Sequence, residues 1–478
     1  MRHRAIIRGL CATGLLAILV ALWPAATVRA TNPYLKWKYE DMKFNPPVPE
    51  RFVLDNGLVV FFLRDTTLPV VTLTALVRAG SVYVPEEKAG LGGIAGDVLV
   101  TGGTTSRTPD EVDQQLEFLG IRWEGSVDLE SSDFSLHCLA KDFAAGLALY
   151  ADLLLHPGFD SAKFQLALDN SKEELRRQND SPGQIISREF SKLVYGHHPY
   201  GRFATPQTLD AISRQDVIDF YRAYFRPNTT ILAMSGDLTS AAVKNALTRT
   251  FGGWSQADVT LPQIPAPTAP DNPGVYLINK DLNQTNIRFG HLGIDRHNSE
   301  RHAVRVMNDI LGGGGFTARM IARVRSDSGW AYSVGTRFTA ANQPGLFYAS
   351  CQTKTQTTAK TLALMQWVVA DLLQNGITDE ELATAKESIL NSDVFNYETP
   401  GEIVERYATQ EFYGFPADQL KQDVEAIRAV TKADVERVAR KYLDPKHYTV
   451  LAVGKVEKFD APLSRFGRVT TITLEEAP

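Results

Sequence analysis

Gly90-Leu91-Gly92-Gly93-Ile94-Ala95-Gly96-Asp97-Val98-Leu99-Val100-Thr101-Gly102-Gly103-Thr104 is the stretch on which the reading of this chain turns. It reads as a buried helix closed by a glycine turn. Each glycine inside the helix weakens it by roughly 0.5–1 kcal/mol relative to Ala, so packing from elsewhere in the chain has to support it. Upstream, Arg51 to Leu63 carries Asn56-Gly57 between two apolar runs, a hairpin signal, and Val70 to Val77 is a further β-rich run. A strand pair therefore leads into the helix. Strand patterning returns at Ile121 to Glu124 and at Phe134 to Leu139. Ala144 to Leu155 reads as a buried helix that stops before Pro157, and Ser161 to Arg177 as a helix with Phe164, Leu168 and Leu175 near one face.

An internal repeat fixes the architecture. Ser213-Arg214-Gln215-Asp216-Val217 recurs as Thr431-Lys432-Ala433-Asp434-Val435, an offset of 218 (431 − 213). At the same offset Tyr224 meets Tyr442, Pro227 meets Pro445 and Gly236 meets Gly454. Each copy is a helix with a Ser or Thr cap, a proline turn and an apolar strand, Ile231 to Met234 and Thr449 to Val453. A gapless repeat of this length implies two homologous halves. The expected class is α+β, two domains each built of an antiparallel-rich sheet packed with helices. The expected division is a signal peptide over 1–30, an N-terminal domain over 31–255, a Pro-rich linker over 256–273 that includes Pro262, Pro265, Pro267 and Pro270, and a C-terminal domain over 274–478.

The 478 residues suffice for two or three domains, and the net charge of −5, with no basic tract, gives no sign of nucleic-acid binding. Arg2, Arg4 and Arg8 precede an apolar core from Gly9 to Trp23 and a small-x-small site at Val28-Arg29-Ala30. This predicts export, periplasmic in a bacterium, with no membrane span after cleavage; an uncleaved anchor is the alternative. Cys138 and Cys351 are expected as buried free thiols, a disulfide between them being the alternative in an oxidising compartment. His197 and His198 lie in a Pro/Gly loop, where adjacent histidines more often satisfy local hydrogen bonds than bind metal. His291, His297 and His302 have no ligand spacing.

The opening stretch resembles the zinc helix of the pitrilysin/insulinase family, the inverted-motif metallopeptidases that include mitochondrial processing peptidase. There the motif H-x-x-E-H supplies two zinc ligands and a water-activating Glu. Laid over that frame, the first His position holds Gly93, the Glu position Gly96 and the second His position Asp97. The family's third ligand falls on Glu174, in Lys172-Glu173-Glu174-Leu175-Arg176-Arg177, 77 positions after Asp97 (174 − 97). One carboxylate ligand without two imidazoles is a poor zinc site; Asp97 with Glu174 offers at most a weak oxygen site for a hard cation. In the second half, Asn308-Asp309-Ile310-Leu311-Gly312-Gly313-Gly314-Gly315-Phe316 resembles the family's glycine-rich segment, where the backbone can approach a ligand or another chain closely. Arg323-Val324-Arg325-Ser326-Asp327-Ser328-Gly329-Trp330-Ala331-Tyr332-Ser333-Val334 matches the family pattern R-E-x-x-G-L-A-Y-S-V. The resemblance makes Arg325 and Tyr332 the pair that hydrogen-bonds substrate near the scissile bond; without it they read as a solvated Arg and a core Tyr.

The resemblance thus implies a chain with no metal and no catalytic group of its own, a half-shell that binds unfolded peptide through Arg325, Tyr332 and the segment Gly312, Gly313, Gly314, Gly315. Zinc would reside in a homologous H-x-x-E-H partner, the two forming a heterodimeric metallopeptidase. The alternatives are a structural scaffold, a peptide-binding protein without proteolytic role, and an autonomous metallopeptidase with an unforeseen metal site.

Overall fold

The computed structural model describes residues 45–270 and 272–475; the expected signal peptide lies outside them. The repeat becomes two six-stranded sheets. The first contains β1 (Glu50–Val53), β2 (Val59–Arg64), β3 (Val70–Val77), β4 (Arg122–Val127), β5 (Ser132–Leu139) and β6 (Thr230–Gly236), in the order β1-β2-β6-β3-β5-β4. The second contains β7 (Val275–Asn279), β8 (Gln284–Leu292), β9 (Ala331–Phe338), β10 (Leu346–Lys354), β11 (Thr449–Gly454) and β12 (Val469–Thr471), in the order β12-β7-β11-β8-β10-β9. Most neighbours are antiparallel. The parallel pairs are β2 with β6, β7 with β11 and β7 with β12. Five strands of each sheet correspond along the order, β2-β6-β3-β5-β4 with β7-β11-β8-β10-β9, so β4 and β9 are equivalent open edges, whereas β1 joins its sheet antiparallel and β12 joins parallel.

The repeated helices form for the same local reason. Ser213 accepts from the Asp216 amide and Thr431 from the Asp434 amide, and in both the Asp side chain reaches back to the cap, a capping box worth about 1 kcal/mol. One face of each sheet carries the main core of its half, Leu73, Phe134, Leu232 and Met234 in the first and Phe289, Phe347, Val450 and Ala452 in the second. The opposite faces are covered reciprocally. The Pro182–Tyr195 helix of the first half lays Ile185, Ile186 and Phe190 with Ile278, Leu451 and Val453 of the second sheet. The Pro400–Phe412 helix of the second half lays Val404, Ala408 and Phe412 with Phe61, Ile231 and Ala233 of the first. Each such side chain contributes about 1.5–3 kcal/mol on full burial, so the halves hold each other's sheets closed.

A buried polar latch joins them as well. Glu130, in the β4–β5 turn, accepts from Arg296 Nη2 at 2.5 Å, from the Asn342 amide at 2.8 Å and from the Tyr200 hydroxyl. The Arg296 guanidinium also lies 3.4 Å from the centre of the Tyr413 ring. Removing one partner of such a buried pair costs about 3–5 kcal/mol, because the other charge is left uncompensated.

Candidate functional site

In the first half the Leu91–Thr101 helix buries Ile94, Ala95, Val98 and Leu99 in the core. Gly92 and Gly96, one turn apart, form the face it turns to β4. A Cβ at Gly96 would stand 3.0 Å from the Val127 amide nitrogen; one at Gly92 would stand 2.9 Å from Ser81 Cβ and 3.2 Å from Val127 Cγ1. Gly93 opens outward, with nothing within 4 Å of its Cβ direction. Gly92 and Gly96 are thus packing residues, and the strand backbone occupies the space a longer side chain at position 96 would need. Asp97 faces outward beside Glu174 on the Ser161–Arg177 helix. Burial first, and the Glu174 charge second, raise the Asp97 carboxyl above its ordinary value.

Zinc, which the family fold implies at this place, does not fit these residues. Positions 93 and 96 offer no ligand atom, and the remaining two carboxylates repel each other. Among the described residues no group of three His, Cys, Asp or Glu side chains is placed to hold a metal ion.

The second half builds the equivalent edge differently. The Arg301–Asn308 helix runs into a wide π-helical turn, Asp309–Gly313, closed by the Gly314 amide on the Asp309 carbonyl at 3.1 Å. A Cβ at Gly312 would stand 2.9 Å from the Thr336 amide nitrogen of β9 and 2.9 Å from Met320 Cβ, and one at Gly314 would stand 2.7 Å from Asp309 Oδ1. Gly313 packs on Asn308 in the same way. The close approach that the glycine run permits is therefore made to the chain itself at Gly312, Gly313 and Gly314. Gly315 alone of the four has open space around it. Beyond it the Gly315 carbonyl accepts from the Ala318 amide at 3.0 Å, and this turn holds Phe316 outward, 70 % exposed, over the buried anchors Ala318 and Met320.

A second π-helical segment, Ile321–Asp327, carries Arg325 and ends at Gly329, whose φ of 66° suits glycine. Then β9 begins. Its pairing with β10 steps from Ser333–Gln352 to Ala331–Thr353, leaving Tyr332 as the extra residue of a bulge. Bulges re-aim side chains, and wide helical turns recur at functional sites. Here three segments converge. The Arg325 guanidinium carbon lies 5.0 Å from the Phe316 ring centre and 5.1 Å from that of Tyr332, itself 77 % exposed. Neighbouring arginines are engaged by carboxylates, Arg305 by Asp393 and Arg319 by Asp371 and Glu381. Arg325 is held by rings instead, and among the described residues its N–H donors and the Tyr332 hydroxyl meet no acceptor. The result is a pre-set group of donors facing outward.

The histidines and cysteines have structural places. His198 stacks on Tyr195, meets Tyr200 edge-to-face, takes the Tyr200 amide on Nδ1 and meets the Pro265 carbonyl through Nε2 at 2.8 Å, which pins the linker. His197 points into solvent. His302 pairs with Asp423 at 2.7 Å, His291 packs against Tyr448, and His297 packs against Phe415. Cys138 in β5 and Cys351 in β10 are buried free thiols on different sheets, so no disulfide joins them. Burial pushes the Cys138 thiol up to about 11.

One feature had no signal in the sequence. A cavity of about 400 Å3 opens on the outer face of β3, β5 and β4, lined by Glu124, Asp133, His137 and, from the second half, Glu405 and Tyr413. Thr74 donates to Glu405 at 2.9 Å across the halves. Residues 331 positions apart meet there, which no local pattern could announce.

Comparison with known proteins finds two family profiles on this chain. The family profile described as insulinase (peptidase family M16) matches residues 59–205, and that described as the peptidase M16 inactive domain matches 211–389. An uncharacterised zinc protease of Bacillus subtilis is 21 % identical over 397 residues, covering 82 % of this chain and 95 % of the relative. One of Mycobacterium bovis is 24 % identical over 413 residues, covering 84 % and 92 %. The crystal structure of a peptidase M16 inactive domain from Pseudomonas fluorescens aligns with a TM-score of 0.77 at 25 % identity, over 85 % of this chain and 98 % of that one. A protease from Helicobacter pylori, 18 % identical with a TM-score of 0.74 over 86 % of this chain and all of that one, shares the fold. The chain belongs to the pitrilysin/insulinase-type peptidases of family M16, as a non-catalytic member whose zinc-motif positions hold Gly93, Gly96 and Asp97.

Proposed function

We propose that this chain is the peptide-holding subunit of a heterodimeric metallopeptidase. It works beside a homologous H-x-x-E-H subunit, which supplies zinc and the activated water. The observation that carries this reading is the unengaged donor group of Arg325 and Tyr332, raised on a bulge at an open sheet edge and braced by aromatic rings. Arg offers several fixed N–H donors and Tyr a rigid O–H. Both suit the carbonyl oxygens of an extended peptide and the negative charge that develops when one is attacked. An unfolded peptide held this way is presented in one register to the partner's chemistry. Orientation alone can lower such a barrier by several kcal/mol (roughly 7–11 at the limit). Export to the periplasm, read from the N-terminal arginines and apolar core, is part of the proposal.

The test is co-purification from the native source with metal measured in each subunit, followed by Arg325→Ala and Tyr332→Phe in the assembled pair. Both variants are expected to assemble normally and to cleave peptide more slowly, each by about 10- to 100-fold. Full activity in both would remove the peptide-holding role. Zinc bound tightly to this chain alone, with hydrolysis in the absence of any companion, would remove the division of labour.

A further inference from the structure

Phe316 stands against the donor pair, and the resemblance gave its ring no role. It stands at the corner of the Gly315–Ala318 turn, 70 % exposed, although Ala318 and Met320 beside it are buried. The turn is set firmly, because Gly312, Gly313 and Gly314 press on Thr336, Asn308 and Asp309. A large apolar ring is therefore held in water by a rigid scaffold. Its companion is a guanidinium: Arg325 lies 5.0 Å from the Phe316 ring centre and 5.1 Å from that of Tyr332. A cation between two rings is attracted to the faces of both. That restrains the guanidinium while leaving its N–H groups without a protein acceptor among the described residues.

Resting on the peptide-holding reading, we propose that Phe316 is a positioning and specificity residue of the same site. It orients Arg325 toward the peptide carbonyl, and the rest of its exposed ring receives a large apolar side chain of the bound peptide next to that carbonyl. Ring contact with an apolar side chain removes water from both, whereas a small polar side chain gains nothing there. The site then prefers extended peptides carrying a Leu or Phe over the same peptides carrying Ser.

The test uses the full chain and two fluorescently labelled, unstructured peptides that differ only in one central residue, Leu or Ser. Wild type is expected to bind the Leu peptide about three- to tenfold more tightly, the contact being partial rather than a closed pocket. Phe316→Ala should weaken both peptides and abolish the preference. Phe316→Leu should keep the preference but bind both peptides less tightly, since an aliphatic side chain has no ring face for Arg325. Phe316→Trp should restore both properties. A double-mutant cycle of Phe316→Ala with Arg325→Ala should show coupling. Unchanged preference in Phe316→Ala, or strict additivity in the cycle, overturns the proposal while leaving the peptide-holding reading intact. Loss of pairing with the zinc-bearing homologue, with peptide preference unaltered, makes Phe316 an interface residue and also overturns it. If Arg325→Ala binds peptide as wild type does, or wild type binds neither peptide, the peptide-holding reading fails and this one with it.

Discussion

At β4 the neighbouring helix meets the strand through Gly92 and Gly96, and of the zinc-motif positions Gly93 and Asp97 face outward, Asp97 beside Glu174. At β9 the equivalent helix meets the strand through Gly312, yet the segments downstream project Phe316, Arg325 and Tyr332. The same topological edge is sealed in one half and furnished in the other. The difference lies in the chain just beyond the glycine contact. In the first half a regular helix ends and a new one starts at Pro109. In the second, two wide turns and a bulge break the regular geometry around Arg325 and Tyr332. Loss of chemistry at β4 is thus a packing change as well as a substitution. The strand backbone has the space that a catalytic side chain would occupy.

The comparison can be broken most sharply at Gly96. Gly96→Glu should be destabilising by about 3 kcal/mol or more, since it drives a charged side chain into the β4 backbone; urea unfolding measures it. A variant as stable as wild type would show that the edge is not sealed. Gly312→Ala makes the matched contact on β9 with a smaller side chain and should cost about 1–3 kcal/mol by the same assay.

The paired change Gly93→His with Asp97→His should behave in the opposite way. Both positions face outward, Gly93 has open space and Glu174 lies beside position 97, so the variant sets two imidazoles near an existing carboxylate. It should bind zinc in a calorimetric titration and gain about 2.7 kcal/mol of stability at a hundredfold excess of zinc over Kd. Peptide hydrolysis should stay absent, because position 96 remains glycine. A variant blind to zinc would show that Glu174 is not placed as a ligand.

Asp309 sharpens the other edge. Burial pushes its carboxyl up to about 6, against the pull of Arg305. In the unfolded chain the same group ionises near pH ~4. Between these values the folded protein holds a proton that the unfolded chain has released, so stability falls as pH rises through the window. Asp309→Asn should raise the urea midpoint at pH 7 and converge with wild type below pH ~4. The smallest effect is reserved for Tyr332→Phe, where the hydroxyl is exposed: stability should change by less than about 0.5 kcal/mol while peptide binding declines.

Much of the fold was legible because its causes are local. Val70–Val77 and Ser161–Arg177 fall where the pattern puts them, and the hairpin at Asn56-Gly57 joins β1 to β2 as its turn chemistry requires. The strand expected at Ile121 to Glu124 begins one residue later and runs to Val127, because pairing with β5 carries it past Gly125 and Ser126, which have little strand preference of their own. The degenerate helix frame, the place of Glu174 beside Asp97 and the meeting of Arg325 with Tyr332 are all legible from residues and resemblance.

By itself the sequence determined the two-fold repeat and the capped helices, since caps and periodicity are written in the residues themselves, while the empty ligand positions and the Arg325/Tyr332 pair were singled out by the family resemblance. Tertiary structure alone decided which glycines seal an edge, that three of the four in Gly312–Gly315 press on their own chain, that Phe316 completes the stack and that each half covers the other's sheet. Those outcomes depend on contacts between segments tens to hundreds of residues apart, where close packing admits one arrangement and no local pattern records it.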